Sequence, residues 1–363
     1  MLPTLGHKQN AAPHPRTAMT ALISSALTAL TAITAPNPPN APNAPTPANR
    51  SAALGLGLDA GGTQTRYALT RADGQLQAEG AVAGLSGLQL ATADGLAQVQ
   101  SVLAEIARAL PTGQAPSAVV AGVTGFAAEH QALLHPLLAD TFGVPLPAVQ
   151  SMTDIELACH SAFAPGQGCV VYAGTGSIAA HIDAAGTMHR AGGRGAVIDD
   201  AGGGHWIARQ ALVHIWRAED EAPGAWQRST LAQEVFKVVG GSDWADTRAW
   251  VYGASRGELG TLALAVAAAA AAEDSDALLI FQNAGRELAR LALALRRRLR
   301  PLPLPLPLPL PLLPIALAGR VFELHASVEL SLRAALPADA EVQRLTLNSH
   351  HTAARLAAAK GLT

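Results

Sequence analysis

One arrangement of residues appears twice in this chain, and it constrains the fold more than any other feature. Residues 54–58 are a short apolar run, 59–65 a glycine-rich turn and 66–70 a second apolar run; Asp73-Gly74 then gives a hairpin signal before a third run at 76–81. The same order returns in the second half: an apolar run at 169–173, a glycine turn at 174–177, a second run at 178–182, a turn at 184–186 and a third run at 187–191. Short apolar runs bounded by glycine turns read as strands joined by hairpins. Two such meanders, each followed by helical periodicity, predict an α/β protein of two related halves.

The rest of the pattern supports this. Leu96, Val99, Leu103, Ile106 and Leu110 fall at helical spacing within 91–110, a buried strand follows at 118–123, then a helix at 129–141 and a short strand near 147–151. After the second meander, helices are expected at 204–217, 228–238, 244–254, 256–273 and 275–300, a strand at 315–318 and a helix at 322–335. The expected domains are therefore 52–165 and 166–345, with a C-terminal helix over 346–363. At about 150 residues per domain, a chain of 363 residues has room for two.

Composition excludes several function classes. With 25 basic and 27 acidic residues the net charge is −2, so no global field draws the chain to nucleic acid or an anionic membrane. No proline-free apolar run reaches the ~18 residues that a membrane-spanning helix needs. Cys159 and Cys169, the 2 cysteines, are too few for a disulfide framework and suit a reducing, cytoplasmic setting. Many of the 24 prolines fall in two places. Residues 1–50 contain an Asn/Ala/Pro tract and are expected to be a disordered extension; their apolar stretch at 19–35 raises a signal peptide, but no clean small-residue cleavage site follows. Residues 301–314 alternate proline and leucine and predict a surface polyproline II loop.

Chemistry concentrates in the two glycine turns. In the first, Asp59, Gly61, Gly62, Thr63 and Thr65 lie between two strands. Glycines let a backbone approach a polyphosphate, threonine hydroxyls and amides donate to its oxygens, and a carboxylate at a strand end holds hydrated Mg²⁺. The Walker pattern is excluded, since its lysine is absent and a strand follows. Taken alone, such a hairpin is more often a plain turn. The second turn, Gly174, Thr175, Gly176 and Ser177, matches it. Two equivalent phosphate-cradling hairpins, one per half, are what a nucleotide clamped between related domains requires.

Asp-x-Gly-Gly-Thr-x-Thr at 59–65, Thr153-Asp154 after a strand, Gly-Thr-Gly-Ser at 174–177, the segment 190–212 and Gly319 in IALAGRVFE occur in that order. In this it resembles the BadF/BadG/BcrA/BcrD ATPase family, and within it the N-acetylglucosamine and glucosamine kinases, over about residues 52–340. The resemblance implies the actin-like ATPase architecture: two ribonuclease-H-like domains flanking a cleft for ATP and Mg²⁺. It implies phosphorylation of a small-molecule amino sugar, with Asp154 as general base, Asp59 as the Mg²⁺ ligand, and Gly319 in the adenosine turn. Ser86, Thr153, Asp154 and Asp200 are implied to face the sugar. On the residues alone, Asp154 is equally a helix N-cap. A homodimer is one assembly left open; a partner reductase, as in the activator branch of the family, and a non-catalytic sugar sensor are the alternatives.

The sequence departs from the kinase pattern in two places. Asp199, Ala201 and Gly203 replace the Gly, Glu and Ser of the family's Gly-Asp-Glu-Gly-Ser segment, and Leu88 stands where these kinases carry an asparagine. Both bear on which sugar is accepted. Among the 12 histidines, His350-His351 lacks the i, i+4 spacing of zinc proteases, so no histidine metal site is expected. Trp206 reads as core, and 296–300 as a solvated helix end.

Overall fold

The computed structural model describes residues 53–299 and 313–361; the expectations for 1–50 and for 301–312 of the Pro–Leu run lie outside the described residues. The first meander is β1 (Leu54–Ala60), β2 (Gln64–Arg71) and β3 (Leu76–Ala83), followed by a 3₁₀ turn (Gly87–Ala91) and α1 (Ala93–Ala109), which Thr92 caps. Then come β4 (Ala118–Val123), α2 (Gln131–Phe142), β5 (Val149–Thr153) and α3 (Asp154–Ala162). The second meander is β6 (Cys169–Ala173), β7 (Ser177–Ile182) and β8 (Met188–Gly192). It leads into α4 (Gly204–Glu221), α5 (Thr230–Val239), α6 (Trp244–Gly253), α7 (Arg256–Ala271) and α8 (Ser275–Leu299). The chain closes with β9 (Ile315–Ala318), α9 (Val321–Leu324), α10 (Ala326–Ala335), β10 (Val342–Arg344) and α11 (Ser349–Lys360).

Two five-stranded sheets result, ordered β3-β2-β1-β4-β5 and β8-β7-β6-β9-β10. In each, the meander pairs antiparallel and the last two strands run parallel to its first strand. The repeat seen in sequence is thus a repeat of topology. Its fifth member, β10, was not anticipated: three residues with only Val342 partly inward give too short a pattern to read. The helix expected at 322–335 is broken at His325, whose backbone is extended and whose ring accepts a hydrogen bond from Ser327 N at 3.2 Å and stacks on Phe281. The helix end at 296–300 is only partly solvated, because Arg296 turns inward and donates to the Leu313 carbonyl ahead of β9. Trp206 packs against the core of the second sheet, as expected.

Each sheet buries its outer face against its own helices. Leu56, Leu58 and Leu69 pack with Val99, Leu103, Ile106 and Leu138 of α1 and α2, while Val171, Ala179 and Leu317 pack with α4, α7 and α8. The inner faces share α3. Leu157 packs with Ala118 and Val120 of the first sheet, while Ile155, Ala158 and Cys159 pack with Val170, Ala180 and Ala316 of the second. No helix among the described residues is long and apolar enough to cross a membrane.

The C-terminal helix α11 lies on β1, far from the elements that precede it in sequence. Glycine in β1 is the reason: a Cβ on Gly55 would fall 2.1 Å from Ala358 N, and one on Gly57 2.1 Å from Ala354 N and 2.2 Å from His350 O. Any side chain there pushes helix backbone off the sheet. Gly57→Ala is therefore expected to lower unfolding free energy by about 1–3 kcal/mol or more, read as a lower urea midpoint; an unchanged midpoint would show that α11 seats elsewhere.

Candidate active site

The first glycine turn leaves β1 at Ala60 and re-enters the sheet at Gln64, closed by Gly61 N donating to Gln64 O at 3.0 Å. Gly62 and Thr63 stand exposed at its tip, and among the described residues their amides donate to no chain acceptor. Gly84, after β3, backs the turn so closely that a Cβ there would lie 2.3 Å from Gly62 O. The second turn is built alike: Gly174 N donates to Gly176 O at 2.9 Å, leaving the amides of Thr175 and Gly176 without a chain acceptor among the described residues. It is braced from behind by the start of α4, where Gly204 N and His205 N donate to Gly174 O and Thr175 O at 2.8 and 3.0 Å. Amides held by rigid hairpins and left without acceptors are what an anionic polyphosphate binds. The residues therefore fit the nucleotide that the turn chemistry implies.

Four ionisable groups, Asp154, Asp59, Arg66 and Tyr172, act on one another at these strand ends. Asp154 is the first residue of α3, with Thr153 as N-cap: Thr153 Oγ1 accepts from Glu156 N at 3.2 Å and the Glu156 carboxylate accepts from Thr153 N at 2.8 Å. The N-cap position is thus held by Thr153, and Asp154 follows it as the first helical residue. Its Oδ1 accepts from Ile155 N at 2.8 Å, and the Thr124 side chain, just after β4, favours its ionised form. Burial pushes the Asp154 carboxyl above the ordinary carboxylate range, against these hydrogen bonds.

Asp59, at the end of β1, is likewise raised, first by burial and further by the Asp154 charge, with Arg66 opposing. Arg66 holds Asp59 Oδ2 at 3.0 Å, while Oδ1 takes no donor among the described residues. One free carboxylate oxygen at a strand end, beside an anion-binding turn, suits a hydrated Mg²⁺. From the other sheet, Tyr172 of β6 feels both carboxylates, which together with burial raise its phenol. The ends of β1, β5 and β6 thus converge.

Other expected residues are placed differently. Thr65 is fully buried as the second residue of β2, its hydroxyl inside the sheet's packed face, which corrects its expected place on the phosphate turn. Ser177 is buried and donates to Ala201 O at 2.7 Å, so its hydroxyl holds the Asp200 loop against the turn. Asp200 faces Gly195 N at 3.1 Å and pairs with Arg256; its side chain is 4% exposed and lies behind Gly176, where a Cβ would strike both groups. Ser86 Oγ donates to Thr124 O at 3.3 Å and accepts from Leu88 N at 3.3 Å. Leu88 is 72% exposed over Gly125, one residue beyond Thr124. Gly319, with φ of 103°, turns the chain after β9 so tightly that a Cβ would lie 2.3 Å from Ala173 O.

Sequence reasoning missed Thr124, Arg66, Tyr172 and Arg256. Thr124 carried a signal, a polar residue ending an otherwise apolar strand before glycine; Arg256 carried none, since it reaches Asp200 from 56 residues away. Cys159 and Cys169 are buried in core packing, which pushes their thiols up to about 12 and about 11. Neither is a ready thiolate ligand.

Raised carboxyl pKa values mean that the folded state holds these protons more tightly than the unfolded chain does. Stability from Asp59 and Asp154 is then greatest at low pH and is lost as pH rises through their folded pKa values. Asp154→Asn is expected to keep or raise the melting temperature at pH 7 and to flatten its dependence on pH in the weakly acid range. A fall of several degrees would make Asp154 a structural residue.

This arrangement has relatives. A structure of an N-acetylglucosamine kinase candidate from Chromobacterium violaceum superposes with TM-score 0.65 at 26% identity, covering 84% of this chain and 99% of that one. A second candidate of that kind from Porphyromonas gingivalis gives 0.56 at 15% identity, covering 82% and 96%. A ROK-family transcriptional regulator homologous to the E. coli MLC protein gives 0.51 at 15%, covering 86% and 80%, which shows a shared fold and nothing more. Among curated proteins none matches the sequence significantly. The model of the BadF/BadG/BcrA/BcrD ATPase family matches residues 56–336, from β1 through α10. With both glycine turns inside that span, the chain belongs to the BadF/BadG/BcrA/BcrD ATPase family.

Proposed function

We propose that this protein is an ATP-dependent sugar kinase that phosphorylates a hydroxyl of an amino sugar, N-acetylglucosamine or glucosamine. The observation that carries the reading is the placement of Asp154: a partly buried carboxylate at the start of the helix packed between the two sheets, within electrostatic reach of Asp59 beside the first glycine turn and of Tyr172 on β6. The amides of Gly62, Thr63, Thr175 and Gly176 bind the phosphate oxygens, and Gly319 keeps the turn after β9 open for the nucleoside. Asp59, one oxygen fixed by Arg66, would hold Mg²⁺. The magnesium nucleotide supplies the transferable phosphoryl group, with its charge partly neutralised.

Asp154 accepts the proton of the acceptor hydroxyl at its carboxylate. Thr124 and the Ile155 amide orient that carboxylate, and burial raises its basicity towards the working range of a general base. Leu88 offers the sugar an apolar contact where a polar one was expected. Substrate and protein are expected in the reducing cytoplasm.

Two alternatives differ in what favours them. Activation of a partner reductase needs thiolates for an iron–sulfur cluster, and the two buried, high-pKa cysteines do not suit that role. A non-catalytic sugar sensor is favoured by one observation: Asp200 and Ser86, both expected on the sugar, are bonded within the chain. A panel of hexoses and hexosamines with coupled ADP detection separates these. The kinase reading expects ADP release that depends on an amino sugar, and the sensor reading expects calorimetric sugar binding without it. Asp154→Asn is expected to lower kcat at least about 100-fold with nucleotide affinity unchanged; undiminished sugar-dependent turnover would remove the base assignment. The acid limb of kcat/KM is expected above the pKa of an exposed aspartate, since Asp154 must be ionised to act and burial raises its pKa.

A further inference from the structure

We propose that Glu79, His350 and His351 form a binding site for a divalent transition-metal ion of the zinc class, which pins α11 to the edge strand β3. The residues are brought together by the fold alone, since Glu79 precedes His351 by 272 positions. Their ligand atoms all lie within 4.8 Å of one another. Glu79 Oε2 stands 2.7 Å from His351 Nε2 and 3.7 Å from His350 Nε2, and the two imidazole centroids are 4.2 Å apart. Ligands around a tetrahedral zinc at about 2.0–2.1 Å are about 3.3 Å apart. The observed spacings bracket that value, so small side-chain rotations close the set.

His350 supplies the independent reason. Its side chain is 8% exposed, its Nδ1 is buried with no hydrogen-bond partner, and its Nε2 is farther from Glu79 than a hydrogen bond reaches. With Nε2 beyond hydrogen-bond reach of Glu79 and turned to the same cluster, that nitrogen is placed to take a cation, while Nδ1 keeps the proton. The carboxylate of Glu79 supplies the negative charge. Arg66, the other charged group facing His350, is engaged by Asp59. Glu79 is about half exposed, which leaves a fourth position open to water.

Two imidazoles with one carboxylate select zinc, cobalt or nickel over magnesium, so the site differs in chemistry from the oxygen ligand at Asp59. Its structural effect is local: α11 already lies against Gly55 and Gly57 of β1, and ligation would tie its first turn across β2 to β3. Because an ion bound only to the folded chain stabilises it, zinc is expected to raise the melting temperature.

The test uses the untagged full chain, stripped with chelator and titrated with Zn²⁺ by calorimetry and with Co²⁺ by visible absorption. One ion per chain, a tetrahedral Co²⁺ spectrum and a zinc-dependent rise in melting temperature are expected. Glu79→Gln and His351→Gln, both at partly exposed positions, are expected to weaken zinc binding at least about tenfold with unchanged circular dichroism. Zinc affinity unaltered in both variants, an octahedral Co²⁺ spectrum, or no heat of binding would overturn the assignment.

Discussion

The packing of α3 against both sheets is the constraint on which the site depends. Leu157 faces one inner sheet surface, and Ile155, Ala158 and Cys159 face the other, so a nine-residue helix joins the two halves. A helix buried on both sides has one free end, and here the first residue at that end is Asp154. Thr153 and Glu156 close the capping box, and Asp154 uses one oxygen, Oδ1, on the Ile155 amide. Burial then does the chemical work. It raises the pKa of the Asp154 carboxyl, while the helix N-terminus and Thr124 keep the ionised form accessible.

Around that helix the two sheets repeat one solution. In each, the first strand ends in a glycine turn with two tip amides that have no acceptor among the described residues, and in each a second segment backs the turn: Gly84 behind the first, Gly203, Gly204 and His205 behind the second. The departures at Asp199, Ala201 and Gly203 gain a physical setting here. A Cβ on Gly203 would fall 2.7 Å from Gly176, so the serine of the related kinases has no room in this arrangement. Asp200, paired with Arg256, stiffens the second turn from behind.

Much of this was legible in the sequence because the signals were local. Both meanders, the helices with strong apolar stripes and the two glycine turns depend on neighbouring residues, and the structure places them within a few positions of the expected bounds. What was illegible depended on distant partners. Nothing near Gly55 and Gly57 says that α11 will lie on them, nothing near Arg256 says that it will meet Asp200, and Glu79 carries no mark of the histidine pair. Thr65 was misplaced for a related reason: on a hairpin, one residue changes which face a side chain takes, and Thr65 pairs with Ala60 on the buried face. The split at His325 escaped because a histidine that caps a helix from within looks like any other helical residue.

The central claim is that an acceptor hydroxyl meets Asp154 while a nucleotide spans the two turns. A crystal structure with a non-hydrolysable ATP analogue and N-acetylglucosamine tests this most directly. The account predicts a sugar hydroxyl within hydrogen-bond reach of the Asp154 carboxylate, and phosphate oxygens on the amides of Gly62, Thr63, Thr175 and Gly176. A sugar bound away from Asp154, or phosphates that leave either turn untouched, would contradict it.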